Sequence, residues 1–430
     1  MTSVQPRKPP PPVKTPTVEI GYANQFSGWW STDIEDTAEL RWPWSSRVYD
    51  AMRRQDAQVI SVLRAVSLPV RRTTWRVDPA QARPEVAQMI AEDLGLPLVG
   101  QAPMLPTRTR DRFAWGEHLR MALLMLAHGH SMFEQVYRID GNGYARLRKL
   151  APRPSRTISR VQVGLDGGLE GIEQFAPAVA GATAAIIPVE RLVAYVHERE
   201  GGDWLGQSLL RGAYKNWLVK DRLIRVQAQT IERNGMGVPV YYGADGAEIT
   251  DLQKGEELAS SYRSGDTAGA ALPFGAKLQL QGVTGKLPDA NPAIRYHDEQ
   301  IARSTLAHFL NLGTQTGSWA LGSTFADFFT MSLQTLAQQV ADTANQHIVE
   351  DLVDLNFGPD EMAPRIVFDE IGSRRDATAA SIQALIKSGA LVPDPSVREF
   401  IRITYGLPEE DAAAAPEPAP VVPATPPAAA

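Results

Sequence analysis

The sequence contains no cysteine, which excludes disulfides, thiolate nucleophiles and cysteine-ligated metals. It contains no run of about 18 apolar residues, so no transmembrane helix is expected. Its start, with Lys8, Pro9 to Pro12 and Lys14, lacks the apolar stretch of a signal peptide. There is no basic excess either: 43 Lys and Arg stand against 49 Asp and Glu, a formal charge of −6. Chains that grip phosphate usually carry a basic domain, so the overall charge gives no reason to expect tight nucleic-acid binding. What is present is the composition of an ordinary globular protein made in the cytosol, 43% hydrophobic and 21% charged over 430 residues. That length accommodates two or three structural units.

Signatures of catalysis are missing as well. No G-x-x-x-x-G-K-[ST] occurs, because Gly269 to Lys277 and Gly282 to Lys286 have the wrong spacing. Gly206-Gln-Ser208 is followed by Leu-Leu, so there is no nucleophile elbow, and there is no H-E-x-x-H. His128, His130 and Glu134 are close in sequence, but they fall on a helix end, just past Gly129 and on a strand, which predicts helix-end and surface roles. His197 to Glu200 reads as a solvated strand end. No catalytic, cofactor or metal site is predicted.

Both ends read as disordered: residues 1–19 are proline-rich, and fifteen of the twenty residues 411–430 are Ala or Pro. Between them the first half mixes α and β. Asp56 caps a helix through Val59, Val62, Leu63 and Val66, expected to stop near Pro69, and Thr73 to Val77 reads as a strand. Residues 111–128 read as an apolar helix capped by Gly129. Met132 to Ile139 and Tyr144 to Leu150 flank Asp140-Gly-Asn-Gly143, a strong hairpin signal, and strands are expected near 157–163, 169–175 and 191–197. Four tryptophans at 29, 30, 42 and 44 point to core or subunit-interface packing.

The second half is more helical. Residues 207–234 read as one long helix ended by Asn234-Gly235. A β-α-β piece follows: Val238 to Tyr242, Thr250 to about Arg263, and Lys277 to Gln281. A helix over 296–312 then enters the glycine-punctuated stretch Gly313, Thr314, Gln315, Thr316, Gly317, Ser318, Trp319, Ala320, Leu321, Gly322. A helix over 325–356 comes next, with Phe325, Phe328, Phe329, Leu333, Leu336 and Val340 as its core stripe. Short helices near 376–388 and 395–405 precede the tail. Asp298 and Glu299 are expected in a helical first turn, or as partners of basic side chains.

On a wheel at about 100° per residue, Arg211, Lys215, Arg222, Arg225 and Arg233 share one side of 207–234. Leu210, Ala213, Trp217, Ile224, Ala228 and Ile231 gather opposite. With Lys220 and two acids the segment is +4, which leaves −10 on the remainder. A solvated amphipathic face and a face meeting polyanion or an acidic partner both fit this pattern.

Gly206-Gln-Ser-Leu-Leu-Arg211, Ala213-Tyr-Lys-Asn-Trp217 with Lys220, and Glu232-Arg-Asn-Gly-Met-Gly-Val-Pro-Val240 resemble tailed-bacteriophage portal proteins, the Mu-like branch in particular. Tyr49-Asp-Ala-Met52, Val62 to Trp75, Leu150-Ala-Pro-Arg-Pro154 and Tyr296-His-Asp-Glu-Gln300 extend the likeness over about residues 20–405. The resemblance implies an α+β portal fold, non-enzymatic, with a wing at 20–206, stem helices at 207–236 and 296–312, and a clip at 237–295. It further implies a tunnel loop at 313–324, a wing segment with the long helix at 325–371, a crown-like end at 372–406 and a tail at 407–430. The implied function is a ring of about twelve copies at one capsid vertex, threading double-stranded DNA without sequence preference. Implied partners are the terminase large subunit, a head–tail adaptor and capsid or scaffold proteins, with no membrane and no cofactor. The rival readings are another structural virion or adaptor protein without a channel and, behind it, a DNA-processing enzyme.

Overall fold

The computed structural model describes residues 35–101, 113–179, 181–235, 238–261, 271–281, 289–304, 319–372 and 386. It is α+β. Helix α1 (Ser45–Gln55) leads into α2 (Ala57–Arg72), whose N-cap Asp56 accepts from the amides of Gln58 at 2.8 Å and Val59 at 3.1 Å. The helix does not stop near Pro69. The missing proline N–H removes one hydrogen bond in the last turn only, and fully buried Val70 holds that turn in the core. Strand β1 (Trp75–Asp78) follows, then α3 (Pro84–Leu94), an element the sequence pattern did not reveal.

The helix expected over 111–128 is two helices among the described residues, α4 (Trp115–Ala122) and α5 (Met125–His128). The Ser131 hydroxyl takes the Met121 carbonyl at 2.9 Å, and Leu124 bonds back to Met121 in a tighter turn, so the α ladder breaks there. Gly129 ends α5 with φ of +87°. A Cβ at Gly129 would lie 2.4 Å from the Leu205 carbonyl, and one at Gly206 (φ +61°) would lie 2.6 Å from the Gly129 carbonyl. Two chain segments cross there at backbone distance, which only glycine permits.

The hairpin of β2 (His130–Ile139) and β3 (Ala145–Arg153) forms as expected, with Asp140 Oδ1 accepting from Asn142 and Tyr144. β4 (Ile158–Val163), β5 (Leu169–Gln174), the unanticipated β6 (Ala185–Pro188) and β7 (Leu192–Val196) complete two antiparallel three-stranded sheets, ordered β3-β2-β7 and β4-β5-β6. Helix α6 (Tyr214–Gly235) then leaves this region. β8 (Val238–Tyr242) and β9 (Lys277–Gln281) form an antiparallel pair beside α7 (Ile249–Ser261). Gly255 lets α7 lie against that pair: a Cβ there would sit 2.1 Å from the Tyr241 ring. Helix α8 (Asn291–Arg303) returns alongside α6.

The long helix is interrupted. α9 (Trp319–Ala344) passes through a π turn at Asn345–Val349 into α10 (Glu350–Phe357). Asn345 pairs with both backbone groups of Ile366 in β10 (Arg365–Phe368), an unexpected strand that pairs with β1. Phe329, Leu333, Leu336 and Val340 are buried as predicted, but Phe328 is 59% exposed, because it lies about 100° around the helix from Phe329. The side chain of Phe325 and the helices expected near 376–388 and 395–405 lie outside the described residues apart from residue 386. Of the four tryptophans, Trp42 packs edge-on to His130, Trp44 is 57% exposed, and Trp29 and Trp30 lie outside the described residues. No described helix is long and apolar enough to cross a membrane.

Three histidines in this core are buried rather than superficial. His118 Nε2 meets the Tyr195 hydroxyl at 2.9 Å, His130 Nδ1 meets the Leu205 carbonyl at 2.9 Å, and His128 Nε2 lies 3.6 Å from Asp50. Burial lowers all three, His118 to about 3 and His128 to about 4, while Asp50 partly offsets the effect at His128. The unfolded chain binds these protons near the ordinary 6.5 and the native chain resists them, so stability is lost as pH falls below about 6.5. The thermal midpoint should drop steadily between pH 6.5 and 4.5, each buried histidine contributing up to about 1.4 kcal/mol per pH unit. His118→Gln, which cannot titrate, should show a shallower slope; equal slopes would remove His118 from this account.

Candidate functional site

The expected helix at 207–234 starts seven residues late, at Tyr214. Residues 207–209 are drawn into other partners: Gln207 N bonds the His197 carbonyl, Ser208 Oγ the Ala127 carbonyl at 2.6 Å, and Leu209 N the Leu126 carbonyl. The Ser208 hydroxyl also accepts from Leu210 N at 3.1 Å, so the segment forms turns. Leu210, Ala213 and Tyr214 are buried with Leu40, Tyr49, Met52, Val59 and Ile301, which seats the foot of α6 in a small core of its own.

Arg211 therefore precedes the helix. Its guanidinium grips both carboxylate oxygens of Glu35, with Nη2 to Oε1 at 2.9 Å, and Tyr214 donates to Glu39. Lys215 and Arg222 are exposed. Arg225 is exposed and paired with Asp221 at 2.8 Å, and Arg233 lies in the last turn of α6. Lys215, Arg222 and Arg225 share the side of α6 turned away from α8.

Lys220 stands on the opposite side and is buried, 7% exposed. Its ammonium lies 2.8 Å from Asp56 and 2.6 Å from Asp298, joining the N-cap of α2 to both long helices. Burial by itself would lower the Lys220 pKa; the two carboxylates outweigh it and the net shift is upward. Nearer the foot, Asn216 meets His297 at 3.0 Å, and further out Gln227 meets Asn291 at 3.3 Å. The α6–α8 contact is thus largely polar. The expected apolar side is not what α8 covers: Trp217 is partly buried below, whereas Ile224 (45%) and Ile231 (63%) are exposed.

Helix α8 begins five residues before the expected 296, since Pro292 suits a first turn and Asp289 Oδ1 accepts from Asn291 N at 3.0 Å. Asp298 and Glu299 are consequently mid-helix, and Asp298 acts as a partner of Lys220, not as a first-turn anion. Residues 305–312 lie outside the described residues. So do Gly313, Thr314, Gln315, Thr316, Gly317 and Ser318, the first part of the expected loop. Trp319, Leu321 and Gly322 are helical, in α9, so the loop cannot extend to 324. One glycine in a helix costs only about 1 kcal/mol, and no proline stands nearby to break the turn.

Among the described residues no group of His, Cys, Asp or Glu could hold a metal. Glu134 pairs with Arg153 and with Arg191 at 2.9 Å, apart from the partners of His128 and His130. The sequence reading missed Asp56, Glu35 and Glu39 as partners of this helix. The available signal was Lys220 itself, the one basic residue of the segment set off from the others on the wheel.

The family described as the portal protein of Mu bacteriophage matches residues 46–407. Among solved structures, a chain of the neck of an empty GTA particle computed with C6 symmetry is 12% identical, with 84% of this chain and 94% of that chain covered at a TM-score of 0.54. A chain of the neck of a native GTA particle computed with C12 symmetry is likewise 12% identical, with the same coverage and a TM-score of 0.52. A chain of the virion of a native gene transfer agent aligns at a TM-score of 0.51, again 12% identical over 84% of this chain and 94% of that one. At such identities the likeness is one of fold.

Removing the central cation should be costly. Lys220→Met leaves Asp56 and Asp298 facing each other half-buried, and a loss of about 3 kcal/mol is expected in denaturant or thermal unfolding. Adding Asp298→Asn to Lys220→Met should recover part of that loss, and a double-mutant cycle with no coupling would show that the pair does not bind α6 to α8.

Proposed function

The chain belongs to the family of Mu bacteriophage portal proteins, and we propose that it forms the portal ring at one capsid vertex, the channel through which double-stranded DNA is packaged and ejected. The observation that carries the ring is the distribution of residues around α6. Polar Asn216, Lys220 and Gln227 face α8, and exposed apolar residues flank that contact on both sides: Ile224 and Ile231 on one, Val219 (39%) and Val226 (48%) on the other. At about 100° per residue the two flanks lie roughly 140° apart. A helix pair with an apolar flank on each side suits a head-to-tail neighbour at both, which is the contact of a closed ring. Twelve copies follow the symmetry computed for the related neck.

In this reading residues 20–206 are the wing, α6 and α8 the stem, 237–290 the clip, 313–318 a tunnel loop at the narrow point, and 372–406 a crown-like end. The cations on the free face of α6 are few, and the chain is net acidic. Each neutralised phosphate adds to a steeply salt-dependent affinity, so sparse cations let a duplex slide where a basic clamp would hold it. The portal is a structural conduit and not a motor: the terminase large subunit, docked at the clip, supplies the energy. The head–tail adaptor takes that position later, and capsid and scaffold proteins surround the wing. The ring belongs to the virion, without sequence preference for DNA.

Negative-stain microscopy of the purified chain should show rings with a central hole, and the chain alone should turn over no ATP. Ile224→Glu with Val226→Glu should abolish rings, because each places an unpaired charge in a subunit contact. Monomers or flat sheets from the parent chain would overturn the channel in favour of another virion part. Arg222→Glu with Arg225→Glu should leave rings intact and slow or retain DNA differently in a packaging assay; lost rings would move that face into the interface.

A further inference from the structure

Away from the helix pair, α1 borders a groove of about 620 Å³ that the function above does not use. Trp44, Arg47, Asp50, Arg54, Arg156 and Phe175 line it. Its two aromatic walls are open to solvent, Trp44 57% and Phe175 53% exposed. The Arg47 guanidinium lies over the Trp44 ring at 5.4 Å. On the floor the Asp50 carboxylate is already held by Arg53 at 2.6 Å and by Arg156, while Arg54 stands off at 3.8 Å. Arg54 and Arg156 are 60% and 57% exposed. The groove thus has three guanidiniums in its walls against a single, well-neutralised carboxylate, in a chain whose overall charge is −6.

We propose that this groove docks a short acidic segment of a partner protein, with an apolar side chain between Trp44 and Phe175 and carboxylates on Arg54 and Arg156. Charge complementarity selects the partner: an anionic segment gains three cations, whereas a basic one meets them unshielded. The volume suits a few side chains and lies within the usual range for a binding pocket, about 300–1,000 Å³. A duplex is the poorer occupant, because its phosphates call for cations arrayed along a track, and these converge on one carboxylate. Exchange of Asp50 for a ligand carboxylate at Arg54 is nearly neutral, since exposed ion pairs are worth about 0–1 kcal/mol. Burial of the apolar anchor against the two rings then supplies the affinity.

The test is fluorescence anisotropy on the full chain with a labelled short peptide of Glu and Asp around one Trp and one Leu, and a matched peptide with Lys in place of the acids. Saturable binding of the acidic peptide alone is expected, weakened at least about tenfold by Trp44→Ala and by Arg54→Glu, with rings and thermal midpoint unchanged. Arg54→Gln, a milder change, should weaken it less. Equal binding to parent and variants, or none at millimolar peptide, overturns the proposal. Displacement by duplex DNA overturns it in favour of nucleic acid. Loss of rings on Arg54→Glu assigns the groove to a neighbouring copy, and binding at least about tenfold tighter after deletion of residues 1–34 assigns it to the chain's own N-terminal segment; either result overturns the partner.

Discussion

One buried ammonium organises the long helix pair. Lys220 lies between Asp56 and Asp298, so a single side chain ties the start of α2 to both members of the long helix pair. Asp56 serves twice, capping α2 through two amides and holding Lys220. Breaking a buried pair strands a charge, which makes the arrangement far less tolerant of change than an exposed salt bridge. It also fixes which side of α6 faces α8. Once Lys220, Asn216 and Gln227 are committed there, Val219, Ile224, Val226 and Ile231 of α6 stay exposed among the described residues, as do Lys215, Arg222 and Arg225 on its other side.

The path into that helix is constrained just as tightly. Gly129 and Gly206 pass each other at a distance no Cβ would allow, and Ser208 closes a turn onto the end of α5. These contacts delay the start of α6 and place Arg211 on Glu35, off the helix. The hydrophobic seat formed by Leu210, Ala213, Tyr214 and Ile301 then anchors the foot of the pair in the α/β region. The result is a helix pair held rigidly at one end, with its apolar flanks exposed along the other. In the ring proposed above, neighbouring copies would cover those flanks.

The α/β region supplies the platform, and it depends on polar side chains that reach into backbone. Asn345 replaces a strand partner for Ile366, and Gln135 bonds the His347 carbonyl and the Asp351 carboxylate beside the π turn. Burial raises the Asp351 pKa, against the hydrogen bond from Gln135. The Gln135 contacts span 212 and 216 positions, and β10 pairs with β1 far back in the chain, which is why β10 and the break in the long helix left no mark on hydrophobic periodicity.

Local chemistry was legible wherever it was decided locally. The Asp56 cap, the Asp140-Gly-Asn-Gly143 hairpin and the glycine stop at Gly129 depend on neighbours a few residues away, and the elements of the β-α-β piece and the stripe from Phe329 to Val340 show in local pattern, so each could be read from the order of residues. The order of short motifs from Tyr49 to Tyr296 was enough for the family. Tertiary structure decided the rest. A wheel sorts residues by type: it gathered Ile224 and Ile231 with the apolar side and set Lys220 apart from the basic stripe, without saying what either would meet. Only the contacts of Lys220 with Asp56, 164 residues away in the chain, and with Asp298 on α8 turned that side inward and left Ile224, Ile231, Val219 and Val226 exposed.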